Sequence, residues 1–122
     1  MIKINVMRTF LNRLRDRGWK NINVRGYTDK DIQVLKRGDK AIIGVENINV
    51  DASGDIRPQI DEFFKSLIEL IERTYAKEIF LPGGGDIPMP DFLKEYCSEY
   101  GIHIHFVTME SYKDIVNYNE SY

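Results

Sequence analysis

Two acidic residues bracket a pair of apolar segments that are joined by a short turn. Asp31 opens Ile-Gln-Val-Leu-Lys, the turn is Arg-Gly-Asp-Lys, and Glu46 closes Ala-Ile-Ile-Gly-Val. If the segments pair as a β-hairpin, the two carboxylates can converge at one end of a sheet. Magnesium prefers a few carboxylate oxygens and keeps its remaining waters. The spacing therefore predicts a metal site at Asp31 and Glu46, and the alternative is two solvated acids at strand ends.

The elements that would position these acids follow the order α-β-β-β-α-β-α-β. Apolar periodicity and turn residues predict helices at 4–17, 57–76 and 90–100, with strands at 20–26, 31–36, 40–48, 78–81 and 102–107. Helices that link successive strands favour parallel pairing. The fold class is therefore α/β, with a mixed central sheet flanked by helices. We expect one domain at 1–110 and a C-terminal tail at 111–122.

Composition favours a globular cytoplasmic protein. The chain has 122 residues, enough for one domain with its own core. We find no apolar run long enough to cross a bilayer and no secretory signal pattern, so no membrane partner is expected. The single cysteine, Cys97, fits a reducing compartment. We expect no small-molecule cofactor.

Positive charge is concentrated near the N-terminus. Residues 1–40 carry eleven Lys and Arg against four Asp and Glu, whereas residues 41–122 carry six against fifteen. This asymmetry is typical of a basic face that binds nucleic acid on an otherwise acidic body. The alternative is a solvated helix and its flanking turns. The candidate phosphate-binding residues are Arg8, Arg13, Arg15, Arg17, Lys20 and Arg25.

The order of elements, with an acid opening the second strand and another near the end of the third, resembles the PD-(D/E)XK nuclease superfamily. That superfamily has the restriction-endonuclease-like fold and includes archaeal Holliday-junction resolvases and small endonuclease-like proteins of archaea and their viruses. The resemblance runs from the first helix to Val107. It implies Mg²⁺ held by Asp31 and Glu46, DNA as substrate, and assistance from Gln59 at the start of the second long helix.

The sequence departs from the family pattern at one catalytic position. The third-strand motif of the family is an acid, any residue and lysine, whereas this chain has Glu46-Asn47-Ile48. Strand alternation predicts that residues 46 and 48 share a face, so Ile48 stands where lysine would offset phosphate charge. Three explanations stay open: catalysis is lost, Arg57 or Lys65 supplies the charge instead, or the register is shifted by one residue.

Three further segments bear on function. The helix at 57–76 has apolar residues on more than one stripe, which predicts a homodimer.

Gly83-Gly84-Gly85 lacks the spacing of a phosphate-binding loop, so we interpret it as a flexible loop. His103 and His105 share a strand face but have no third ligand, which favours ordinary strand residues over a metal site. The sequence as a whole predicts a nuclease-like, nucleic-acid-associated protein with weak or lost cleavage, or else a non-enzymatic dimeric scaffold.

Overall fold

The computed structural model describes residues 6–83 and 87–108. Within these ranges the predicted order of elements is confirmed. The predicted tail at 111–122 and residues 84 and 85 of the glycine loop lie outside the described residues. The elements are α1 (Val6–Asp16), β1 (Lys20–Asn21), β2 (Ile32–Arg37), β3 (Lys40–Val45), α2 (Ile56–Thr74), β4 (Glu78–Pro82), α3 (Asp91–Tyr100) and β5 (His103–Val107).

The described strands form one mixed sheet in the order β1-β2-β3-β4-β5. The first three strands are an antiparallel meander, and β3, β4 and β5 are parallel neighbours. A two-residue loop joins β2 to β3, since Arg37 pairs with Lys40 and Gly38 takes a φ of 63°. That tight turn fixes the register that places Asp31 and Glu46.

The sheet is buried on both faces. Leu35, Ile42 and Phe80 belong to the cluster that packs on α1, and we refer to this side as the α1 face. Their neighbours along the strands, including Val34 and Ile43, belong to the cluster beneath α2 and α3, and this side is the α2 face. Side chains alternate between the two faces because the strand repeat is two residues. Along β2 the odd-numbered side chains face α1, and along β3 the even-numbered side chains do.

Helix α1 lies unusually close to the sheet at Gly44. A Cβ atom on Gly44 would lie 2.7 Å from Cδ2 of Leu11, which is 1 % exposed. Gly18 ends the helix with a φ of 96°, as the sequence predicted. Trp19, just beyond it, is 2 % exposed and belongs to the α1-face cluster. These residues anchor α1 above β2 and β3.

Helix α2 buries the apolar residues that led to the homodimer prediction. Phe64, Leu67 and Leu70 are at most 1 % exposed within the single chain. Phe63 and Ile68 are half-buried and pack against the same cluster. The sheet and α3 therefore cover these apolar residues without a second subunit. The homodimer stays a prediction, but the apolar residues of α2 no longer support it. None of the helices in the described residues has the length and apolar character needed to cross a membrane.

Candidate acidic site and basic helix

Asp31 and Glu46 are opposite neighbours in the antiparallel ladder. The last strand pair is Ile32 with Val45, and one residue further the Glu46 N–H donates to the Asp31 carbonyl oxygen at 2.7 Å. Residues directly opposite each other in such a ladder project to the same face. Glu46 contacts Arg8 of α1, which places the Glu46 side chain on the α1 face. The fold therefore brings the backbones of the two acids side by side at one end of the sheet.

Each carboxylate already has a partner from the same chain. Asn49 Nδ2 donates to Asp31 Oδ2 at 2.9 Å. Arg8 Nε of α1 donates to Glu46 Oε1 at 3.1 Å. The side chain of Glu46 is 14 % exposed and that of Arg8 is 67 % exposed. A guanidinium thus supplies a positive charge to the acid pair from the helix that covers this face.

The predicted placement of Ile48 is wrong. Strand β3 ends at Val45, so its alternation does not continue to residue 48. Glu46 reaches α1, whereas Ile48 packs against the cluster beneath α2 and α3. The two side chains therefore lie on opposite sides of the sheet.

Helix α2 packs on the face of the sheet opposite to the acid pair. Arg57 and Lys65, the residues considered as replacements for the missing lysine, both belong to α2. The packing of α2 therefore does not favour either of them as the replacement. Among the described residues, Arg8 of α1 forms an ion pair with Glu46. Sequence reasoning assigned Arg8 to phosphate binding and missed this contact, because the two residues are far apart in the chain and meet only through packing.

Gln59 organises the loop before α2. Its side-chain oxygen accepts a hydrogen bond from the Asp51 N–H at 2.6 Å. Its amide nitrogen donates to the carbonyl oxygens of Asp51 and Asp55 at 3.0 and 3.1 Å. Hydrogen bonds from the Ser53 hydroxyl and N–H lower the pKa of the Asp51 carboxyl. The geometry gives Gln59 a structural role in this loop, and its assistance in catalysis stays a prediction.

The candidate phosphate-binding residues differ in their surroundings. Arg15 donates to Asn21 Oδ1 at 2.6 Å and to Asn12 Oδ1 at 2.7 Å. Asn21 in turn donates to Gln33 Oε1 at 2.6 Å, so a polar network crosses from α1 to β2 on the α1 face. Arg17 is half-buried, and its carbonyl oxygen accepts from Arg37. The remaining candidates Arg13, Lys20 and Arg25 are exposed.

A second acid–base contact lies further along the α1 face. Glu78 is 6 % exposed and is the buried charged residue of the described core. His105 Nε2 lies 3.1 Å from Glu78 Oε2, and its ring stacks on Phe80 with centroids 4.9 Å apart. The parallel register of β4 and β5 produces this contact. A spacing rule could identify the two histidines but not the glutamate that one of them meets.

Comparison with protein-family models, curated proteins and solved structures gave no match for this chain. Within residues 6–83 and 87–108, no three histidine, cysteine, aspartate or glutamate side chains gather as a metal-holding group. The acid pair has two carboxylates and an amide. Function is therefore argued from the site itself, because a fold alone does not specify it.

Proposed function

We propose that this chain is a nuclease-like, nucleic-acid-associated protein whose metal-dependent phosphodiester cleavage is weak or lost. The observation that carries the proposal is the acid pair Asp31 and Glu46 at the end of the β2–β3 hairpin, with Arg8 bound to one of its members. The acid pair supports descent from a nuclease site. The Arg8 contact supports weak or lost cleavage, because the guanidinium competes with a metal ion for Glu46.

The topology supports the restriction-endonuclease-like fold within this proposal. An antiparallel meander precedes two parallel strands, and helices cover both faces. The acids follow the pattern expected from the resemblance, because one opens β2 and the other follows β3.

The residues present suit a weak magnesium site. The two carboxylates are hard oxygen donors, and Mg²⁺ is commonly held by one or two carboxylates together with waters. When bound, the ion would activate a water and neutralise charge on a phosphate. Arg8 would compete with the ion for the Glu46 carboxylate. Arg8 would then be available to a phosphate oxygen, to which a guanidinium can donate two parallel hydrogen bonds.

Nucleic acid would approach the same face. Arg8 and Arg15 of α1 lie on the side of the sheet that carries the acid pair. Arg13 is exposed on the same helix. Phosphate contacts of this kind release counterions and make affinity fall steeply with salt. Salt-sensitive binding therefore belongs to the proposal.

The test is cleavage and binding of single-stranded, duplex, flapped and branched DNA, with the matching RNA strands, in Mg²⁺ and in Mn²⁺. We expect salt-sensitive binding that Arg13→Gln weakens, with Lys65→Gln of α2 as the charge-matched control. Any cleavage should disappear in Asp31→Ala and persist in Glu62→Gln, which removes an acid from α2. Cleavage that survives in Asp31→Ala would contradict the assignment of the site.

A non-enzymatic scaffold is the second candidate. The contact between Arg8 and Glu46 favours it, since a neutralised acid pair can simply tie α1 to the sheet. This alternative predicts neither metal binding nor salt-sensitive binding of nucleic acid. The same titrations therefore separate the two functions.

A further inference from the structure

Helix α2 ends at Tyr75, whose left-handed backbone conformation is unfavourable for a residue other than glycine. Tyr75 has φ 59° and ψ 27°, and its N–H donates to the Ile71 carbonyl oxygen at 2.8 Å. Among the described residues it is the one non-glycine residue with positive φ. The other two helices use Gly18 and Gly101 for the same left-handed termination. Such a strained residue at an exposed position points toward a function rather than toward folding.

The Tyr75 side chain gains little from the core, because the residue is 82 % exposed. It lines a groove of about 320 Å³ between the ends of α2 and α3. Tyr96 and Tyr100 line the same groove, and their ring centroids are 4.7 Å apart. The apolar residues of the lining are Ile71, Ala76 and Ile102, each of which is largely buried. We refer to this surface as the tyrosine groove.

The lining of the tyrosine groove carries one acid, Glu72, and one base, Lys77. Glu72 lines the groove, and burial together with the Glu72 carboxylate raises the pKa of the Tyr96 hydroxyl. Lys77 also lines it, but its ammonium donates to the Tyr100 carbonyl oxygen at 2.9 Å. Helix α3 carries three acids and one lysine. The faces of aromatic rings attract cations electrostatically, and Arg is the most frequent partner.

We propose that the tyrosine groove binds an arginine or lysine side chain from a basic segment of a partner protein. The tyrosine rings would flank the cation, and Glu72 would neutralise it. The groove lies on the α2 side of the sheet, away from the acid pair and from the basic residues of α1. This interaction is therefore independent of the proposed nuclease-like function.

The probe is an acetylated hexa-arginine peptide, titrated by calorimetry and by backbone amide NMR. We expect its binding to shift the amides of Tyr75, Lys77 and Ile102. Tyr75→Gly should weaken binding by about twofold to fivefold, the loss expected for one cation–π contact at an exposed site. The glycine suits the left-handed conformation, so this variant keeps the helix end intact. Glu72→Gln should cause a comparable loss.

The matched control is Glu62→Gln, which makes the same charge change near the other end of α2. Equal weakening by Glu62→Gln and Glu72→Gln would show attraction to net charge alone and would overturn the proposal. Tighter binding of a short oligothymidine than of hexa-arginine would also overturn it, since the groove would then be a base-stacking surface. Self-association that Tyr75→Gly abolishes would assign the groove to a second copy of the chain and would overturn it likewise.

Discussion

Removing the guanidinium from the acid pair should strengthen metal binding. In Arg8→Gln, Glu46 loses the partner that contacts its Oε1 at 3.1 Å, while the backbone hydrogen bond that aligns Glu46 with Asp31 stays in place. A divalent cation would no longer compete with a positive side chain for the same carboxylate. We therefore expect the variant to bind Mn²⁺ and Mg²⁺ more tightly than the wild type.

The exposure of Arg8 sets the size of this effect. Its side chain is 67 % exposed, so the ion pair belongs with surface pairs that contribute about 0.2–1 kcal/mol. A displaced guanidinium roughly 6 Å from a divalent ion adds a repulsion of about 0.7 kcal/mol after screening by physiological salt. Together these amount to about 0.9–1.7 kcal/mol, a decrease in Kd of roughly fivefold to eighteenfold. Stability should fall by no more than about 1 kcal/mol, because an exposed pair contributes little to folding.

The assay is calorimetric titration with Mn²⁺, supported by paramagnetic broadening of amide signals near residues 31 and 46. Arg13→Gln is the control, since it removes the same charge from an exposed position of the same helix. Asp31→Asn in the Arg8→Gln background should abolish the gain. If Arg8→Gln and Arg13→Gln strengthen binding equally, or if the gain survives in Asp31→Asn, the ion does not bind at this pair.

Three further predictions concern stability, and urea unfolding measures each of them. Tyr75→Gly should raise the free energy of unfolding by about 0.5–1 kcal/mol, because glycine relieves the left-handed strain and the exposed ring packs little. A decrease would show that contacts of the tyrosine ring stabilise the fold. Gly44→Ala should lower it by about 1–2 kcal/mol, since the new Cβ meets Leu11 at 2.7 Å, and Leu11→Val should recover part of the loss. Burial raises the pKa of the Cys97 thiol and, with the Asp29 charge, that of the Tyr27 hydroxyl. The stability linked to these two groups is fully present below their unfolded pKa values and is lost as pH rises through the folded values, so stability should decline above about pH 9; an unchanged value from pH 7 to pH 10.5 would contradict this.

The sequence was most informative where local rules apply. Gly18, Gly38 and the period of apolar residues in α1 predicted the helix end, the hairpin turn and the buried face. The same rules were less accurate at strand ends. Alternation predicted that β3 continues to residue 48, but the strand ends at Val45, and the facing of Ile48 was therefore wrong. Hydrogen bonding to a neighbour decides where a strand stops, and one strand's residues do not contain that information.

The sequence by itself determined the order of elements, the hairpin register and hence the juxtaposition of the Asp31 and Glu46 backbones. These features depend on turn chemistry and on periodicity, which act over a few residues. Only the tertiary structure decided that Arg8 of α1 neutralises Glu46 and that α2 packs on the opposite face. It also decided that Tyr75, Tyr96 and Tyr100 line one groove. Contacts between residues far apart in the chain follow from how helices pack on a sheet, and no local pattern specifies them.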